Sequence, residues 1–139
     1  MDKIEKRNPV DLGLLILRAG FGILFMFHGY PKLAGGPETW RKYGEAMENF
    51  GITFYPEFWG FMAGAVEFFG GLFLVIGIFH KSISLLLLFV MIVALMKKIT
   101  GDASFPGLAH PLKAAVVFIA LLFTGPGNYK LGKRTGKSA

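Results

Sequence analysis

The sequence predicts an all-α integral membrane protein, a four-helix bundle with a short amphipathic interfacial helix between the first two spans. Three observations carry that expectation. Apolar residues make up 53% of the 139 residues and mean hydropathy is +0.52, more apolar than a soluble domain of this size. These residues gather in four blocks, about 12–30, 58–79, 82–100 and 108–125, and roughly 20 helical residues cross about 30 Å of hydrocarbon. The blocks also lack the polar faces that a soluble helical bundle needs.

The first block is interrupted by Arg18 and has no small-residue cleavage site, since Lys32 stands two residues before Ala34. It therefore reads as a span and not as a signal peptide. The connection that follows, 31–57, is too long for a plain turn. After the Gly35-Gly36-Pro37 break, Trp40, Tyr43, Met47 and Phe50 recur at helical spacing, opposite Arg41, Lys42, Glu45, Glu48 and Asn49. That pattern predicts a helix lying on the bundle, as an interfacial anchor or as a lid. The third and fourth blocks have shorter charge-free centres and use Lys97, Lys98 and Lys113 as snorkelling ends. The last block stops at Gly125-Pro126-Gly127, which cannot comfortably continue a helix.

The net charge of +6 is concentrated near the ends of the chain. With four spans both termini share a side, and with the 80–81 turn that side carries eight basic residues against six on the other. The bias favours cytoplasmic termini. The basic stretch Lys130, Lys133, Arg134 and Lys137 fits an anionic lipid surface, and no nucleic acid is expected. Cysteine is absent, which excludes disulfides, thiol relays, iron–sulfur ligation and haem thioether links.

Two ionisable residues lie deep in the apolar blocks, Arg18 and Glu67. A charge at that depth costs about 2.5–3.5 kcal/mol on insertion scales, so the two opposite signs are expected to pair. Helical periodicity puts Arg18, Gly22, Phe25, Gly29 and Lys32 on one stripe, and Gly60, Gly64, Glu67 and Gly71 on another. Gly22, Gly60, Gly64 and Gly71 are candidates for close helix packing. Counted from Tyr30 and Glu57 as outer ends, Arg18 and Glu67 lie about 18 and 15 Å deep, an offset that an arginine can bridge. The pair reads either as a register-fixing ion pair or as a site where Arg18 binds an anionic or carbonyl ligand that Glu67 orients.

His28 and His110 share the outer side, while His80 lies in the opposite turn. The three cannot share a metal, and even with Asp102 the outer pair has no close ligand spacing, so no metal is expected. His28 adjoins Lys32 at the mouth of the expected pocket. No phosphate-cradling loop, nucleophile elbow or dinucleotide fingerprint is present, and no intrinsic cofactor is expected.

The order Leu17-Arg18-Ala19-Gly20, then Phe25-Met26-Phe27-His28-Gly29-Tyr30-Pro31-Lys32-Leu33, then Glu67-Phe68-Phe69-Gly70-Gly71-Leu72-Phe73-Leu74-Val75-Ile76-Gly77, closing with Gly125-Pro126-Gly127, resembles the DoxX family. The markers span nearly the whole chain. After Gly-Pro-Gly the family often continues Ser-Leu-Asp, where this chain has Tyr129-Lys130-Leu131-Gly132. The resemblance implies one DoxX-like membrane domain over 1–139, a four-helix bundle in a prokaryotic cytoplasmic membrane. Some relatives are subunits of thiosulfate:quinone oxidoreductase, and others belong to oxidant-defence assemblies.

Three functions follow. The first is a membrane subunit of a redox-linked complex that binds a quinone between helices and takes electrons from a soluble or membrane partner. Its candidate ligand residues are Arg18, Glu67, His28, Lys32 and Phe25, with Phe21, Phe68 and Tyr30 adding apolar walls. The second is a non-catalytic anchor or assembly factor. The third is a small anion transporter, for which one four-helix unit would need a homo-oligomer.

Overall fold

The computed structural model describes residues 8–101 and 104–129. Asp102, the basic residues Lys3, Lys6 and Arg7, and the stretch 130–139 lie outside the described residues. Helix α1 is Pro9–Ala34, α2 Gly36–Gly44, α3 Pro56–Ile76, α4 His80–Thr100 and α5 Phe105–Thr124. A 3-10 helix, Glu45–Phe50, continues α2. Helices α1, α3, α4 and α5 are each long and apolar enough to cross a membrane. Large apolar side chains such as Ile16, Phe27, Phe69, Phe89 and Phe123 stand exposed on them, as lipid contact requires. The chain is a multi-pass, all-α membrane protein.

Local chemistry sets most of the boundaries. Asn8 caps α1 by accepting the Val10 N–H at 3.0 Å, with Pro9 in the first turn. Gly77, at φ 86°, closes α3 with its N–H on the Phe73 carbonyl at 2.7 Å. The first span differs from expectation at its end. It runs through Pro31 to Ala34, although a proline at that position cannot donate to the carbonyl four residues earlier. The Trp40 indole donates to the Lys32 and Leu33 carbonyls at 2.9 and 3.3 Å. It thereby satisfies two of the helix-end acceptors and holds the added turn.

Glycines set the closest helix approach. Gly22 and Gly29 of α1 lie against α3, where an added Cβ would come within 2.5 Å of the Gly71 carbonyl oxygen and the Phe68 nitrogen respectively. On α3, Gly64 faces Lys32 and Leu33, and Gly71 faces Gly22 and Met26. Gly60 serves α2 and not α1, because its missing side chain admits the Trp40 backbone. The amphipathic element therefore sits directly on α3, and Arg41 fastens it by donating to Glu57 from Nε at 2.9 Å and Nη2 at 2.6 Å. That hydrogen bond holds the Arg41 guanidinium above its ordinary pKa.

The opposite flank is spaced by rings. Phe118 of α5 meets Phe25 edge-on at 5.0 Å and Phe21 at 6.3 Å, geometries that aromatic pairs favour. Phe25, Leu74, Leu87, Phe118 and Leu121 form the buried centre. His80 Nε2 lies 2.8 Å from the Leu121 carbonyl oxygen and links α4 to α5.

Glycine substitutions on and off the close seam separate packing from propensity. Gly29→Val is expected to destabilise the protein by about 1–3 kcal/mol through overpacking. Gly20→Ala, with open space around the site, should instead be neutral or stabilising by up to about 1 kcal/mol through helix propensity. Thermal unfolding in matched detergent measures both, and equal effects would contradict the seam.

Candidate functional site

The glycine register decides which charges meet. Gly29 lies level with Gly64 and Phe68, and Gly22 level with Gly71 and Val75. Glu67 is thus level with the last turns of α1, and Lys32 reaches it. Lys32 Nζ donates to Glu67 Oε1 at 2.8 Å, with side-chain exposures of 18% and 2%. Arg18 lies eleven residues from Gly29, about 16 Å along the helix axis. The expected Arg18–Glu67 pair is not formed. Depth reckoned from Tyr30 and Glu57 sets Glu67 level with about residue 20, whereas the glycine contacts set it level with about residue 28, and the added turn of α1 accounts for about half of that shift.

Arg18 is fully buried and donates from Nη2 to the Tyr129 carbonyl oxygen. The segment after α5 folds back onto α1, where Asp11 accepts from Asn128 N at 3.2 Å and Asn128 Nδ2 at 2.6 Å. Arg18 therefore clamps the C-terminal segment. Among the described residues its Nε and Nη1 have no hydrogen-bond partner.

Glu67 and Lys32 stand in the wall of a cavity of about 710 Å³ between the helices, beneath α2 and the 3-10 helix. This size lies within the 300–1,000 Å³ common for small-molecule sites. Phe25 and His28 from α1 also line it, so the structure brings together four of the five candidate ligand residues and leaves Arg18 elsewhere. Sequence reasoning missed several further wall residues, among them Tyr43, Trp59, Met62, Phe89 and Lys97. The spacing of Trp59, Met62, Ala63 and Val66 on the Glu67 side of α3 was the available signal. Lys97 had been assigned to a snorkelling end.

The polar chemistry clusters near the α2 end. Lys32 Nζ lies 4.6 Å from the Tyr43 ring centroid, and Lys97 Nζ lies 5.9 Å from it. Lys97 also donates to the Lys42 carbonyl at 2.6 Å. Glu67 Oε2 is buried without a hydrogen-bond partner among the described residues. His28 and His110 face one another across α1 and α5 with ring centroids 4.7 Å apart. Among the described residues no group of three or more metal-ligating side chains converges.

A family model described as DoxX matches residues 13–101, most of α1 through the end of α4. The chain belongs to the DoxX family. No curated protein sequence and no solved structure matches it. In this DoxX protein the matched region contains Arg18, Lys32 and Glu67, while α5 with His110 lies beyond it.

Mutational coupling tests the separation of the two polar centres. Lys32→Met leaves a buried unpaired carboxylate and should cost about 3–5 kcal/mol. Adding Glu67→Leu should recover most of that loss. Arg18→Met and Glu67→Gln should add within about 0.5 kcal/mol. A double-mutant cycle by thermal unfolding reads all of these, and strong Arg18–Glu67 coupling would overturn the assignment.

Proposed function

We propose that this DoxX protein is a membrane subunit of a redox-linked complex and binds a quinone-like molecule in the cavity between its helices. The observation that carries this reading is the pairing of an apolar cavity with the buried Lys32–Glu67 ion pair on its wall. Ionisable groups at membrane depth are retained at a cost and mark ligand or proton pathways. The Lys32 ammonium can donate to a ring carbonyl, and the Glu67 carboxylate holds that ammonium at the cavity wall. The apolar side chains of Met62, Val66 and Phe89 suit the ring faces and a hydrocarbon tail.

Quinone reduction takes up two electrons and two protons. In this reading the electrons come from a partner protein, and the carboxylate and imidazoles of the cavity hold or pass protons. The site sits in a prokaryotic cytoplasmic membrane, with both chain ends on the cytoplasmic side. The sequence's basic-residue bias supports that orientation.

Trp59 lines the cavity and gives a direct test. A short-chain benzoquinone titrated into protein in lipid nanodiscs should quench its emission saturably, and Trp59→Phe should abolish that component. Ala94→Phe, which fills the cavity without removing a polar group, should weaken binding about tenfold or more. Non-saturating quenching, unchanged in Ala94→Phe, would reject the reading.

A further inference from the structure

The charges around the cavity are unequal. Lys32, Lys42, Lys97 and Lys98 contribute to its wall, against Glu67 as the lining carboxylate. Of these four ammonium groups, only Lys32 is in an ion pair among the described residues. Glu45 and Glu48 lie near enough to Lys97 to act on it electrostatically, but neither reaches ion-pair distance. Once Lys32 and Glu67 neutralise one another, Lys42, Lys97 and Lys98 remain at the α2 end of the cavity outside any ion pair among the described residues, and Glu45 and Glu48 offset Lys97 only from a distance.

The opposite character holds along the flank between α3 and α4. These helices are close near their joining turn, where Gly70 faces Leu87, and the cavity lies nearer the α2 end. Met62, Leu86 and Phe89 line it and are 39%, 47% and 51% exposed. Apolar side chains of both helices thus form this wall of the cavity and also reach the outer surface of the bundle.

We infer that the ligand of this cavity is an acidic amphiphile whose anionic head lies beside Lys97 and whose chain runs out between the apolar side chains of α3 and α4. This inference rests on the ligand-binding reading above and deepens it by assigning the head-group charge and the route. A neutral head would leave Lys97 without an ion-pair partner on ligand binding. An ionised ring hydroxyl or carboxylate supplies one, and charge-assisted hydrogen bonds are the stronger kind. On that route the bilayer is the source of the ligand, which need not cross water.

A matched pair of probes tests the head group. The first is a 2-hydroxy-3-alkyl-1,4-naphthoquinone, anionic at neutral pH, and the second its neutral 2-methoxy ether. Both are titrated against Trp59 emission in nanodiscs of neutral lipid. The anion is expected to bind about tenfold tighter. Lys97→Gln should erase that preference, and Lys97→Arg should preserve it. A saturated alkyl carboxylate of equal chain length competes as a third probe. If it displaces the naphthoquinone at similar concentrations, the anionic-head inference stands and the quinone reading falls. If the two naphthoquinones bind equally, the charge inference is overturned while the quinone reading survives. If no probe binds saturably, both are rejected.

Discussion

The close approach of α1 and α3 through Gly22, Gly29, Gly64 and Gly71 fixes the positions of the other functional groups. In lipid, apolar burial does not favour one helix pairing over another, so van der Waals fit between backbones carries the specificity. Glycine–backbone contacts on facing turns leave little freedom to slide. The seam places Glu67 level with the end of α1, beside Lys32, and sends Arg18 toward the opposite end. Two buried charges of opposite sign thus become two separate polar centres. One lies in a cavity wall and the other holds the segment after α5.

The cavity follows from unequal spacing around the bundle. Glycine brings α1 and α3 together, while Phe21, Phe25 and Phe118 prop α1 away from α5. Four helices joined by seams of different widths cannot all meet along one axis. The space left beneath α2 is enclosed by the 3-10 helix and by polar contacts to α4. Lys97 bonds the Lys42 carbonyl there, and Thr100 donates to Asn49 at 3.1 Å. The amphipathic element is consequently attached at both edges, to α3 through Gly60 and Arg41–Glu57 and to α4 through these bonds.

The four helices were legible in the sequence because apolar block length and helical period report them directly. The stripes through Arg18–Lys32 and Gly60–Gly71 were legible for the same reason. The partner of Glu67 was not, since it depends on the relative shift of two helices. The apolar block ends at Tyr30, whereas the Trp40 indole, eight residues beyond Lys32, supplies the contact that keeps a further turn helical. No local pattern announces that contact. Nor does periodicity announce that residues after Gly127 return to Asp11 and Arg18, because chain reversal beyond a Gly-Pro-Gly break has no helical signature. The cavity, too, arises from differences in helix spacing and has no one-dimensional trace.

The inward setting of Lys32 and Lys97 matters for function because lysines at helix ends ordinarily reach outward into headgroups. Both ammonium groups instead lie near the Tyr43 ring under the α2 roof. The ring attracts cations on its face but carries no net charge, so it accommodates both without neutralising either. Lys32 finds its counter-charge in Glu67, while Lys97 is stabilised by a backbone carbonyl and the ring. Carbonyl and π contacts orient an ammonium but leave its charge available to a third group. Lys97 is therefore held in position outside any ion pair, beside a cavity with apolar walls. That combination is the physical basis of the proposed acidic amphiphile, with a charged head beside Lys97 and an apolar chain against the cavity wall.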